Sequence, residues 1–180
     1  MRRLKIPRMF SPARLPRKAV LLFIVALLTL AGGIFSRGGM VVSVSDGDSF
    51  VFITGGGERL TVRLYGVDAP EYSQPGGREA KKFVSDMILF EHVELSVLDT
   101  DAYGRSVALV SAKDGRVLNE ELVRAGLAWV YRAYCRLPAC ARWLILEKEA
   151  RRAKIGLWKD KKPVYPENWR RRASGVRSNP

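Results

Sequence analysis

Histidine and cysteine are almost missing from this chain. His92 is the one imidazole, and Cys135 and Cys140 are the two thiols, in 180 residues. That scarcity excludes a His-rich metal cluster, a four-thiolate zinc site and a fold built on several disulfides. Acid is short as well, with 18 Asp and Glu against 31 Lys and Arg and a formal net charge of +13. The imbalance is local. Residues 1–18 hold seven basic groups and no acid, and residues 170–180 hold Arg170, Arg171, Arg172 and Arg177, again with none. Between them, residues 38–169 carry 19 basic residues against all 18 acids. The high charge therefore reports two basic ends more than a nucleic-acid-binding face. With 47% hydrophobic residues and no internal repeat, the chain is neither disordered nor fibrous, and its length suits one domain with appendages.

A run of 17 uncharged residues, 19–35, follows the basic leader. At about 1.5 Å per residue it only just crosses a bilayer core of roughly 30 Å. It also fits the apolar region of a cleaved signal, with Thr29-Leu30-Ala31 as a weak cleavage context. The length of the leader favours a retained anchor. Seven positive charges before the run and only Arg37 just after it predict that the leader stays in the cytoplasm and the domain lies outside. The expected division is a leader and anchor or signal segment at 1–37, a domain at 38–160, and a basic tail at 161–180 that Trp169 pins. Cys135 and Cys140 flank Arg-Leu-Pro-Ala, where Pro138 favours a turn. A bridge closing so short a loop stabilises by about 2 kcal/mol in the loop-entropy model. Two buried free thiols are the alternative.

Within the domain, alternation predicts strands at 40–45, 49–54, 58–65, 92–98 and 105–111. Helical spacing predicts helices at 77–90, from 118 to about 125, and at 139–154, the last two stopped by Gly126 and Gly156. Five short antiparallel strands with a helix after the third match a small Greek-key barrel of the OB type, an α+β fold that is mainly barrel. His92, at a strand start beside Glu91, reads as structural.

Two clusters carry chemistry: Asp46-Gly-Asp48-Ser49 and Arg63-Leu-Tyr-Gly-Val-Asp68-Ala-Pro-Glu71. Carboxylates on a turn between strands suit a hard cation such as calcium or magnesium rather than zinc. An EF-hand is excluded, because the twelfth position counted from Asp46 is Gly57 and from Asp48 is Arg59. Taken alone, an Asp-Gly is a turn and Arg63 a strand-edge ion pair. Together with Arg105 in Asp101-Ala-Tyr-Gly-Arg, they combine acids for a metal with two guanidiniums for a phosphate, the kit of a phosphodiesterase.

Over residues 40–159 the chain resembles the staphylococcal nuclease (thermonuclease) family. Besides the motifs just quoted, the resemblance rests on Asn119-Glu-Glu-Leu-Val-Arg-Ala-Gly126-Leu-Ala and Gly156-Leu-Trp158. It implies an OB-fold barrel with about three helices and calcium-dependent hydrolysis of DNA and RNA by a monomer. It also implies that Asp48 and Asp68 are calcium ligands with the backbone carbonyl of Ala69, and that Arg63, Glu71 and Arg105 are catalytic. Tyr103 and Tyr134 resemble the nucleotide-contacting tyrosines.

The chain departs from the family pattern at several points. Ser49 and Ala69 stand where the family often has Thr, and Ala102 replaces a lysine beside Tyr103. The segment after Glu71 is short and lacks lysines, which implies a weaker grip on the nucleic-acid backbone. The expectation is thus a sugar-nonspecific nuclease on the outer side of the membrane. The competing reading is a catalytically silent OB module that binds nucleic acid or protein. The complete set Asp48, Arg63, Asp68, Glu71 and Arg105 favours the enzyme.

Overall fold

A computed structural model describes residues 35–174. The expected membrane or signal helix lies outside the described residues. Among the described residues, no helix is long and apolar enough to cross a membrane.

Five strands close a barrel: β1 (Phe35–Val44), β2 (Ser49–Thr54), β3 (Arg59–Leu64), β5 (His92–Thr100) and β6 (Ser106–Ser111), in the order β1-β2-β3-β6-β5. The expectation that every strand pair is antiparallel is corrected at one seam, because β3 and β6 pair in parallel, Arg63 facing Val107. A helix intervenes between them, so β6 returns in the same direction as β3 and completes the ring. Strand β1 starts earlier than alternation suggested, since Phe35 pairs with Val97 and Gly39 with Val93. Register shifts in β1 between Val41 and Ser43, and in β5 between Val97 and Asp99, supply the local twist that a small barrel needs. Inward positions fill it with Val41, Phe50, Phe52, Val62, Leu95, Ala108 and Val110, each fully buried.

Helix α1 (Gly77–Ile88) buries Ala80, Val84 and Ile88, one stripe at helical spacing, in the same core. Helix α2 (Leu118–Arg124) adds Leu118, Leu122 and Val123, and α3 (Ala139–Ala153) adds Trp143 and Leu146. Buried Asn119 fastens α2 to the barrel. Its side-chain nitrogen donates to the carbonyls of Tyr65 and Ala108, and its oxygen accepts from the Val110 N–H. Two short strands, β4 (Val67–Asp68) and β7 (Trp129–Val130), pair beside the barrel.

A fourth helix stands where about three were expected. After a 3-10 turn (Gly156–Lys159), the chain enters α4 (Pro166–Ala173). Its sequence favours a helix at both ends, with Pro166 in the first turn, Glu167 close to the positive N-terminus and Arg170, Arg171 and Arg172 near the negative C-terminus. The helix is docked. The Val164 carbonyl accepts a 2.6 Å bond from buried Gln74, Tyr165 packs edge-on to Trp129 at 5.5 Å, and Pro166 is buried. Trp129, Ala150, Leu157 and Trp158 form the small second core on which Tyr165 lies. These contacts anchor the segment that leads into α4.

Candidate active site

Strand register builds the centre. Ser49 pairs with Arg63, and the Leu64 N–H donates to the Asp48 carbonyl at 2.8 Å, so Asp48 at the mouth of β2 lies beside Arg63 on β3. The Asp46-Gly47-Asp48 turn is closed by the Asp48 N–H on the Asp46 carboxylate. It fits only because residue 47 lacks a Cβ, which would lie 2.7 Å from the Cβ atoms of both Ala69 and Ala80. Asp68 is delivered separately, through its β4 pairing with Trp129. Strand β7 is itself tied down by buried Glu147, whose carboxylate accepts from the Val130 N–H at 2.9 Å.

Arg63 bridges the two acids. Its Nη1 contacts Asp48 Oδ1, and its Nη2 donates to Asp68 Oδ1 at 2.9 Å. All three side chains are withdrawn from water, the arginine 14% exposed and the acids 6% and 0%. Asp48 Oδ1 also accepts from the Ser49 hydroxyl, and Oδ2 from the Ala69 N–H at 2.8 Å. Burial alone would raise the Asp48 pKa, but the charge and hydrogen bond of Arg63, with the Ala69 N–H, hold it below the usual carboxylate range. For Asp68 burial wins over Arg63, and its pKa is raised. Asp46, desolvated and beside the Asp48 charge, is pushed up to about 6.

Glu71 sits at the rim, about one third exposed. Its loop is fixed from two sides. The Glu71 N–H donates to the Gln74 side chain at 3.3 Å, and the carbonyl packs against Gly77 so closely that a Cβ there would fall 1.9 Å from the carbonyl oxygen.

Arg105 is held differently. The β5–β6 turn is organised by Asp101, whose Oδ1 accepts from the Tyr103 and Arg105 N–H groups and whose Oδ2 takes the Arg105 Nε at 2.7 Å. Burial would raise the Asp101 pKa, but these bonds hold it lower. Among the described residues no hydrogen bond or ion pair joins Arg105 to Asp48, Asp68 or Glu71. It stands next to Ser106, which pairs with Val62, one residue from Arg63. Its guanidinium lies 5.6 Å from the centre of the Tyr103 ring, and that ring is 86% exposed. Tyr134 is also exposed, tilted at 4.7 Å against Tyr131. Cys135 and Cys140 are joined in a disulfide with their Cα atoms 5.7 Å apart.

The match of residues 61–160 to the model of the staphylococcal nuclease homologue family decides the identity. The chain belongs to the staphylococcal nuclease family, and it is a nuclease. It is 38% identical over 131 residues to an "Uncharacterized endonuclease" of Haemophilus influenzae, covering 73% of this chain and 71% of that one. A protein of the same description from Escherichia coli is 37% identical over 153 residues, 85% of this chain and 95% of its own. A "Micrococcal nuclease" of Shigella flexneri is 35% identical over 141 residues, 74% of this chain and 80% of its own.

Among the described residues no group of three or more His, Cys, Asp or Glu could hold a metal ion. The donor set that does exist is two buried carboxylates, Asp48 and Asp68, both in contact with one guanidinium. Oxygen donors fit a hard cation.

The sequence reading of this nuclease missed four contributors. Gln74, Tyr131 and Glu147 support the site, and Arg170 of α4 enters it. Burial and then the Asp68 charge push the Tyr131 hydroxyl pKa up. Arg170 donates from Nη1 to Glu71 Oε1 at 2.6 Å and from Nη2 to Asp68 Oδ2 at 3.4 Å. In the sequence it was one positive charge of a basic end. A Tyr-Pro pair just before the arginine run was the one signal that a helix starts there.

Proposed function

We propose that this nuclease hydrolyses phosphodiester bonds of both DNA and RNA, with calcium, on the outer side of the cytoplasmic membrane. One observation carries the reading: the buried Asp48–Arg63–Asp68 group with Glu71 at its open edge. Asp48 and Asp68 would hold the calcium, which when bound would supply positive charge to a phosphate oxygen. Glu71, partly exposed, receives the proton of the attacking water as the water oxygen bonds to phosphorus. The ester bond to the leaving sugar oxygen breaks, and that oxygen takes a proton from solvent. Arg63 and Arg105 offer planar N–H pairs to the non-bridging oxygens as charge grows on them. For Arg105 this means leaving Asp101, and its side chain is partly exposed. Tyr103 and Tyr134 present exposed rings on which bases of any identity can stack, which suits cleavage without sequence preference.

The placement outside rests on the basic leader, the apolar run after it, and a disulfide of the kind that persists in oxidising compartments. Extracellular calcium modules also work with dissociation constants of order 10⁻⁴–10⁻³ M, a range open to a two-carboxylate site. The test is a parallel digestion of DNA and RNA strands of one sequence by the purified protein. Both should be cut in calcium and neither in chelator. Cleavage of one sugar type alone refutes the nonspecific reading.

A further inference from the structure

We propose that Arg170 is a third arginine of the active site, delivered by α4, which positions Glu71 and binds a phosphate oxygen of the substrate strand. The inference rests on the nuclease reading above. Arg170 spans two carboxylates that lie 102 and 99 residues away in sequence, Asp68 and Glu71, with one terminal nitrogen on each. A guanidinium has five N–H donors in a planar fork, so these two contacts leave others for a ligand. The side chain is 43% exposed, so it stands at the opening and not in the core.

The support behind it is built. Gln74, only 3% exposed, accepts from the Glu71 N–H and donates to the Val164 carbonyl, so one buried amide fastens both the Glu71 loop and the lead-in to α4. Tyr165 then wedges between Trp129 at 5.5 Å and Tyr131 at 6.4 Å. Glu71 and Arg170 are therefore fixed from the same point, which is what a positioning contact requires.

Charge gives the contact its second role. Asp48, Asp68 and Glu71 are three acids, and without a metal ion Arg63 offsets only one of them. A phosphodiester carries its own negative charge and would be repelled by what remains. Arg170 brings a second positive group to the solvent side, where the strand must arrive. Its neighbour Arg171 is engaged with Glu167 at 2.6 Å on another face of the helix. Arg105 is committed to Asp101. Of the arginines at the site, Arg170 alone touches both Glu71 and Asp68.

The experiment compares the full chain with Arg170→Gln, Arg170→Lys and, as a control on the same helix, Arg172→Gln. Binding of a single-stranded DNA oligonucleotide is measured in chelator over a range of salt, and turnover is measured in calcium. Loss of one phosphate contact should lower the log–log salt slope of Arg170→Gln by about 0.7, the single-strand value. Its kcat should fall about tenfold or more, as expected when a charge-assisted bond to Glu71 is lost. Arg170→Lys should regain the slope but not the kcat, because an ammonium cannot hold Glu71 and phosphate in the same plane. Arg172→Gln should keep the kcat. An unchanged slope in Arg170→Gln overturns the proposal. So does a kcat at or above wild type, which would make the contact a latch over the site. A wild-type chain that binds and cuts, beside Arg170 variants that bind and cut equally well, sinks this inference alone, whereas a wild-type chain that does neither sinks the nuclease reading with it.

Discussion

Arg63→Lys removes the geometry of the central bridge while keeping its charge. In the native chain, separate nitrogens of one guanidinium reach Asp48 and Asp68, which are 6% and 0% exposed. A lysine ammonium is a single point and must favour one acid, so the other loses its bond to residue 63 and keeps its remaining contacts, Arg170 for Asp68 or Ser49 and Ala69 for Asp48. Hydrogen bonds to charged groups contribute roughly 1.5–3 kcal/mol each, so a loss of about 2 kcal/mol in folding stability is expected in chelator. With a urea m-value of about 1–3 kcal/mol/M, the unfolding midpoint should drop by roughly 1 M. The chemistry should suffer more. Removal of one preorganised oxyanion donor costs about 10²–10³ in kcat, and the substituted ammonium would supply no parallel pair of bonds to phosphate. Urea titration followed by tryptophan fluorescence, and turnover on a DNA strand in calcium, measure the two effects. A midpoint unchanged within error together with turnover within about twofold of wild type would refute the bridging argument.

Further outcomes are expected. Glu71→Gln keeps the side-chain shape but cannot take a proton, so kcat should fall at least ~10²-fold while oligonucleotide binding in chelator persists; full turnover would remove Glu71 from the chemistry. Gly47→Ala forces a Cβ to within 2.7 Å of Ala69 and Ala80, an overpacking that should cost about 1–3 kcal/mol in denaturant unfolding; a neutral result would mean the turn yields freely. Replacing both Cys135 and Cys140 by Ser should lower stability by about 2 kcal/mol. In native protein, thiol alkylation should label neither cysteine before reduction, and protease added to spheroplasts should reach the domain. Two labelled thiols together with protease protection would contradict the placement outside.

What the sequence made legible was local. Asp46-Gly47-Asp48, Arg63 and Asp68 lie on a turn and on strands whose alternation and turn residues can be read directly, and neighbouring register brings them together. Strand pairs of two residues, such as β4 with β7, leave no periodic trace, yet that pairing positions Asp68. The start of β1 was hidden because Phe35 ends an apolar run that has its own membrane-like reading. Arg170 was illegible for a stronger reason. It reaches Glu71 through the docking of Tyr165 and Val164 on distant segments, and nothing in Arg170-Arg171-Arg172 distinguishes a solvated basic end from a side chain aimed at two acids. Arg105 shows the converse, a motif residue whose bonds in this structure go to its own turn.

The central claim is that Asp48 and Asp68 serve hydrolysis by holding calcium. Titration calorimetry of calcium into the wild-type chain, Asp48→Asn and Asp68→Asn, with turnover measured at the same calcium concentrations, tests it most directly. The account predicts that occupancy and turnover rise along one curve in the wild type, and that each variant loses both together. Full turnover in chelator, or calcium binding that survives both substitutions, would contradict it.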